Sequence, residues 1–356
     1  MSEKVGLILG VSGIAGRAIA ERLSSEKNWT VVGVSRHAPD GLPTVQHVVC
    51  DLQDREGCKD ALANAPHATH AFFATWSRQA DETENCRVNG EMFRNAIEAA
   101  ADSGELRHVA LVTGLKHYLG SFDSYATKEL DTPFTEDQPR VPGENFYYRQ
   151  EDILFDAARR YGFNWSVARP HTIIGYAPGN AMNLGTSLAV YATLCRESGR
   201  PFQFPGSPQQ YNGLVDMTAA DLLAEHLLWE ATTEKAANTA FNVVNGDIFR
   251  WRKMWGRIAD YFGIQAAPYP GRAEPLADLL ANAAPDWDQI VLRYQLRPNP
   301  IDRVAAWWHV DADLGRTQEC LTDMSRSRQL GFVGYRATWP ALRGLFERLR
   351  AKRIIP

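Results

Sequence analysis

A short apolar run, Val5-Gly6-Leu7-Ile8-Leu9, leads directly into Gly10-Val11-Ser12-Gly13-Ile14-Ala15-Gly16, and a helical periodicity follows over Ala15–Leu23. Few folds accept three glycines at this spacing between a strand and a helix. Gly10 allows the tight turn, and Gly13 lets backbone N–H groups come close to a pyrophosphate. Gly16 lets the helix pack against the strand. The N-terminus of the helix favours negative charge in front of it. A glycine triad alone marks any tight strand-to-helix turn. Here four more alternating units stand behind it, which makes a dinucleotide cradle the stronger reading.

Those units are the apolar runs Val31–Val34, Val45–Cys50, Ala71–Ala74 and Val109–Thr113, with a helical pattern at Glu91–Ala101. A further helix over Tyr147–Tyr161 leads into the strand-like Trp165–Pro170. Strands apolar on both faces and separated by helices predict an α/β fold, a Rossmann-type doubly wound parallel sheet. After Gly175 the pattern changes to an apolar helix at Leu184–Cys195, a Pro/Gly-rich stretch and a late concentration of tryptophans. We therefore expect a Rossmann domain over residues 1–175. Residues 176–356 form a smaller, mostly helical substrate region, and segments at about 207–250 return to the first domain.

The 356 residues carry a formal net charge of −4, with no long basic run, which argues against nucleic acid as a partner. No stretch approaches the ~20 apolar residues of a membrane-spanning helix. The start Met1-Ser2-Glu3-Lys4 runs straight into a strand, without the pattern of a leader, so a cytoplasmic location is expected. The five cysteines are scattered without a C-x-x-C pair, and the nine histidines are dispersed, so neither disulfides nor a metal site is expected.

The end of the second strand distinguishes the two nicotinamide dinucleotides. An Asp or Glu there would bind both ribose hydroxyls of NAD. This chain has Ser35-Arg36, a hydroxyl and a permanent cation suited to the 2′-phosphate of NADP. Asp51 and Leu52 end the third strand where an adenine would lie. Thr75 and Trp76 end the fourth beside the nicotinamide ribose.

Short-chain dehydrogenases usually carry Tyr-x-x-x-Lys on the helix after the fifth strand, so that the ammonium assists the phenol. That motif is missing. Glu151 stands four residues beyond Tyr147 and Asp152 four beyond Tyr148. A carboxylate cannot take the place of an ammonium. Lys116, in Thr113-Gly114-Leu115-Lys116-His117-Tyr118 at the end of the fifth strand, can reach the same space from the opposite wall. Read singly, Lys116 is a surface lysine and Tyr147 a core aromatic.

Three segments carry a resemblance: Thr113–Tyr118, Asn145-Phe146-Tyr147-Tyr148-x-x-Glu151-Asp152, and Phe241-Asn242-Val243-Val244-Asn245-Gly246-Asp247. Together they closely resemble the progesterone 5β-reductase/iridoid synthase family of atypical short-chain reductases, and the likeness covers essentially the whole chain. The resemblance implies NADPH-dependent reduction of activated C=C bonds in enones and enals, with Lys116 and Tyr147 as the catalytic pair. It also implies that Ser12, Gly13, Ile14, Ser35, Arg36, Asp51, Leu52, Thr75, Trp76, Ile174 and Met182 lie along the cofactor, beside Gly10, Gly16 and Tyr147. Two departures stand out. Plant members place Phe after a paired Trp where this chain has Trp307-Trp308-His309, and they commonly have Arg at the position of Leu115.

The mechanism expected is hydride delivery to the β-carbon of an α,β-unsaturated carbonyl. Tyr147 donates to the oxygen that gains charge, and Lys116 supplies positive charge beside it. Trp76, Tyr118, Phe122, Trp308 and His309 are expected to line the substrate pocket. Two rival readings share the fold and the cofactor loop. One is a sugar-nucleotide epimerase or alcohol dehydrogenase, which needs the missing Tyr-x-x-x-Lys. The other is a non-catalytic NADPH-binding regulator. The partner expected is a small enone or enal, with a homodimer as the allowed assembly.

Overall fold

The computed structural model describes residues 4–120 and 130–356. Its main sheet has seven parallel strands: β1 (Lys4–Leu9), β2 (Trp29–Ser35), β3 (Gln46–Val49), β4 (His70–Phe73), β5 (His108–Val112), β6 (Asn164–Pro170) and a distant seventh, Thr239–Val243. Two short strands, β7 (Ile173–Ile174) and β8 (Thr218–Ala219), pair in parallel outside it, so the seventh strand is β9. The order across the sheet is β3-β2-β1-β4-β5-β6-β9. Its direction of winding reverses between β1 and β4, which opens a crevice at the carboxyl ends of these strands.

The helices follow from capping and periodicity. In the first half they are α1 (Ile14–Ser24), α2 (Arg55–Ala63), α3 (Glu82–Ala101), the single turn α4 (Lys116–Leu119) and α5 (Phe146–Tyr161). Helix α3 begins nine residues before the apolar pattern suggests, because its first turns are polar. The Asp81 side chain caps it by accepting from the Glu84 N–H at 2.9 Å. After residue 175 come α6 (Leu184–Ser198), α7 (Pro208–Asn212), α8 (Ala220–Thr232) and α9 (Trp251–Phe262). Six further helices complete the chain: α10 (Leu276–Leu279), α11 (Ala284–Arg293), α12 (Ile301–Val304), α13 (Trp307–Leu314), α14 (Ser325–Gln329) and α15 (Thr338–Ala351).

Strand side chains alternate between two separate cores. Leu7, Leu9, Phe73, Leu111 and Val167 pack on α3 and α5, while Ile8, Phe72, Ala110, Ala168 and Val243 face α1 and α8. A third core lies in the C-terminal half, where the fully buried Trp251, Trp255 and Trp287 pack with α6 and α15. Two of these indoles are paired there: Trp255 donates to the Phe202 carbonyl at 3.2 Å and Trp287 to the Asn299 carbonyl at 2.8 Å. Residues 220–243 pack on or join the main sheet, since α8 lies against α1, β5 and β6 and β9 pairs with β6. Among the described residues, no helix is long and apolar enough to cross a membrane.

Candidate active site

The crevice starts at the glycine turn. Gly10 has φ +98°, which L side chains rarely adopt, and a Cβ there would stand 2.6 Å from Cβ of Thr75. A Cβ on Gly16 would stand 2.1 Å from the Gly10 carbonyl oxygen. The two glycines thus bring α1 against β1 and β4, and leave the helix N-terminus facing open space. This cradle fits a pyrophosphate.

One end of the crevice is lined by Gly10, Ser12, Ser35, Arg36, Asp51 and Leu52, with Thr75 and Trp76 at its inner edge. Arg36 is exposed, and the Ser35 hydroxyl donates to the His37 carbonyl at 2.8 Å. A cation and a hydroxyl at the tip of β2 suit a 2′-phosphate, and no carboxylate occupies that tip. The middle of the crevice is lined by Gly13, Ile14, Thr75, Trp76, Tyr147 and Met182. Gln150 and His309 join them there. The deep end is formed by Trp76, Gly114, Lys116, Tyr147, Met182 and His309, with Thr172, Asp313 and Arg316 behind. Tyr147 stands at the junction, lining both the middle and the deep end.

Helix α5 presents Tyr147 through two anchors that also hold Lys116. The Asn145 side-chain oxygen accepts from the Tyr147 N–H at 3.0 Å, while its amide donates to the Lys116 carbonyl at 2.8 Å. Glu82, the first residue of α3, accepts from the Phe146 N–H at 2.9 Å through Oε1. Its Oε2 accepts from Lys116 Nζ at 2.5 Å. Two orphan donors of the α5 N-terminus are thereby satisfied. The Lys116 ammonium is buried and also lies 4.5 Å above the Phe146 ring, which stacks on Trp76 at 5.5 Å. Burial, and then the Glu82 charge, push the Tyr147 phenol well above its usual range. It therefore stands as a neutral O–H donor.

Lys116 and Tyr147 line one cavity, and the Lys116 ammonium is paired there with Glu82. Glu82 went unnoticed in sequence, since a glutamate in the first turn of a helix is ordinary there. Glu151 turns its carboxylate to Arg140 at 2.8 Å, Arg169 at 3.4 Å and His117 at 3.4 Å. Burial alone would raise its pKa. The hydrogen bond from His117 and the charge of Arg169 outweigh that and hold it at about 2.

Three expected lining residues are placed elsewhere. Tyr118 is buried in a small core with Leu115 and Leu119, stacks on Phe134 at 4.7 Å, and donates to Asn242 Oδ1 at 2.6 Å. Trp308 lies at the surface with the Arg78 guanidinium 3.6 Å over its ring, while its neighbour His309 lines the crevice. Ile174 packs into the C-terminal core, and Ile173 faces the crevice instead. Adjacent strand residues point to opposite faces, so an offset of one residue exchanges them. Phe122 lies outside the described residues. Among the described residues, no cluster of His, Cys, Asp or Glu could hold a metal ion.

The PRISE-like Rossmann-fold domain family matches residues 47–356. An (S)-8-oxocitronellyl enol synthase of Nepeta racemosa is 38% identical over 365 residues, which span 99% of this chain and 94% of that one. A 3-oxo-Delta(4,5)-steroid 5-beta-reductase of Arabidopsis thaliana is 36% identical over 367 residues, with 99% and 94% covered. Among solved structures, an epimerase of Methanothermobacter thermautotrophicus is similar with a TM-score of 0.71 at 15% identity, covering 98% of this chain and 93% of that one. A Bordetella bronchiseptica enzyme in complex with NAD+ gives a TM-score of 0.66 at 16% identity, with 98% of each chain covered. At these identities the structural likeness concerns the fold.

Proposed function

The chain belongs to the PRISE-like Rossmann-fold family, and from that premise we propose that it reduces the activated C=C bond of α,β-unsaturated ketones or aldehydes with NADPH. Its relatives are named as a steroid 5-beta-reductase and as enol synthases. The observation that carries the reading is the neutral Tyr147 hydroxyl at the junction of the cofactor-side and deep cavities, with the Lys116–Glu82 pair beside it.

Bound NADPH supplies the hydride. The protein would orient it, with the glycine turn holding the pyrophosphate and Arg36 the 2′-phosphate. Trp76 and Met182 line the crevice beside Tyr147. Tyr147 donates its hydrogen bond to the substrate carbonyl oxygen, where enolate charge grows during hydride transfer. The high phenol pKa keeps that proton in place, so Tyr147 acts as a fixed donor and water can protonate the α-carbon. Lys116, held by Glu82 and the Asn145 side chain, fixes the turn from which the donor is presented.

The test is NADPH oxidation with a weakly activated enone. Tyr147→Phe should lower kcat by about 10²–10³ while leaving NADPH affinity unchanged. Single-turnover kinetics isolate the hydride step, and an unchanged rate there would remove Tyr147 from the mechanism. A strongly activated enal is unsuitable, because proximity alone can carry it. Tight NADPH binding without turnover of any enone would favour the regulator reading. The proposal extends to a cytoplasmic protein that works as a homodimer on a small molecule, away from nucleic acid and membranes. The net charge of −4 without a basic run supports the absence of a nucleic-acid partner, and light scattering tests the assembly.

A further inference from the structure

Cys50 and Cys58 are eight positions apart, a spacing that matches no C-x-x-C pair, yet the fold brings their sulfurs to 3.3 Å. Cys50 directly follows β3, and its N–H donates to the Ser35 carbonyl at the tip of β2 at 3.3 Å. Cys58 stands near the start of α2, where its N–H donates to the Asp54 carbonyl at 2.9 Å. The turn over Asp51–Asp54 joins the two, and Cys58 Sγ also lies 3.5 Å from the Asp51 carbonyl oxygen. Cys50, Asp51, Leu52 and Gln53 line the same end of the crevice as Ser35 and Arg36. Cys50 is 7% exposed, whereas Cys58 is wholly buried.

The two thiols are chemically unequal. The hydrogen bond between them, first of all, lowers the pKa of Cys50, and the same bond, followed by burial, raises that of Cys58. Cys50 is therefore the nucleophile of the pair, and Cys58 the thiol placed to resolve it. A disulfide holds its sulfurs about 2.05 Å apart, so closure takes a shift of about 1 Å.

We propose that Cys50 and Cys58 form an oxidative modification site: a hydroperoxide closes them to a disulfide when the crevice holds no dinucleotide, and the disulfide weakens dinucleotide binding. With hydrogen peroxide, the Cys50 sulfur attacks one oxygen. An S–O bond forms, the O–O bond breaks, and the other oxygen leaves as water with the thiol proton. Cys58 then attacks the sulfenic sulfur, so that an S–S bond forms, the S–O bond breaks and a second water leaves. Two thiols lose two electrons and one peroxide is reduced to two waters. Closure draws α2 towards the end of β3 and displaces the turn between them, which lines the crevice. A dinucleotide bound at this end would cover Cys50, so binding and oxidation oppose each other. The modification goes beyond enone reduction, and its effect on binding rests on the dinucleotide reading.

The experiment treats the full chain, freed of dinucleotide, with hydrogen peroxide and follows its intact mass and its Kd for NADPH. The mass should fall by the two hydrogens of one disulfide, and peptide mapping should join Cys50 to Cys58. The Kd should rise about tenfold and return with dithiothreitol. Saturating NADP+ should slow the crosslink. Cys58→Ala should form no crosslink and should collect a dimedone adduct on Cys50 instead. The mass of the unmodified chain decides the crosslink even if that variant does not fold. An unchanged mass, or a crosslink through other cysteines, overturns the proposal. A Cys50–Cys58 disulfide that forms as fast with NADP+ bound, or leaves the Kd unchanged, overturns the coupling to binding. A reduced protein that binds no NADPH overturns the dinucleotide reading and the coupling with it, while the mass still decides the crosslink.

Discussion

Tyr147 and Tyr148 are neighbours in sequence with opposite roles. A step of about 100° around the helix turns one hydroxyl into the crevice and the other into the protein. Tyr148 donates to the His117 carbonyl and accepts from the Val141 N–H at 3.0 Å, so it braces α4 against the segment before α5. Position along the helix, rather than residue type, selects which hydroxyl faces the crevice. Arg36 is a contrasting case, legible from sequence because it directly follows a strand end. Arg36→Ala should weaken NADPH binding about 10- to 100-fold, as loss of a charge-assisted contact implies. NADH, which lacks the 2′-phosphate, should bind nearly as before. Equal losses in Kd for the two dinucleotides would show that another group reads the phosphate.

At the scale of the element, the two ends of the chain's glycine usage behave differently. Gly16 is pressed against the Gly10 carbonyl, whereas Gly256, inside α9, has nothing within 4 Å of its would-be Cβ. Gly16→Ala should force α1 away from the turn and abolish NADPH binding. Gly256→Ala should stabilise the protein by about 0.5–1 kcal/mol through helix propensity. Denaturant melts and dinucleotide titration check both, and a neutral Gly16→Ala would contradict the close packing. Helix α5 is tied to β6 and α4 through Glu151, whose contacts are Arg140, Arg169 and His117. Its folded pKa of about 2 lies below the ordinary 4.5. The carboxylate therefore contributes stability above about pH 4.5, and that contribution is lost as pH falls through about 2. The shift corresponds to about 3 kcal/mol at neutral pH. Glu151→Gln should be destabilised by that order at pH 7 and show a flatter acid profile below pH 4.5. Identical acid profiles for the two proteins would exclude Glu151 as the source.

Over the whole molecule, the chain leaves the sheet after β6 and comes back to it. Residues 218–243 supply β8, α8 and β9, which bring Leu223, Leu227 and Val243 onto the face shared with α1. A fragment ending at residue 175 would bare that face and leave β6 as an open edge. Such a fragment should fail to give a cooperative unfolding transition, and the full chain should give one. A cooperatively folded fragment would mean that α8 and β9 are dispensable. The crevice likewise draws on both parts: one end comes from β1, β2 and β4, and the deep end joins α4 and α5 to α13 and Arg316.

The local signals were sufficient for the glycine turn, the parallel sheet and the placement of Arg36 at the tip of β2. A glycine turn, a strand period and a residue at a strand tip are short-range features, set by sterics within a few residues. The family motifs likewise pointed to Tyr147 and Lys116 before any geometry was known. Which side of the backbone a residue faces was not legible, and this is why Tyr118, Trp308 and Ile174 lie away from the crevice. Nor was the partner of Lys116. Glu82 is 34 residues away in sequence, and the two meet at 2.5 Å only because α3 and α4 converge at the carboxyl edge of the sheet. Pairings across such a distance depend on how helices pack on the sheet, and only the tertiary fold decides them.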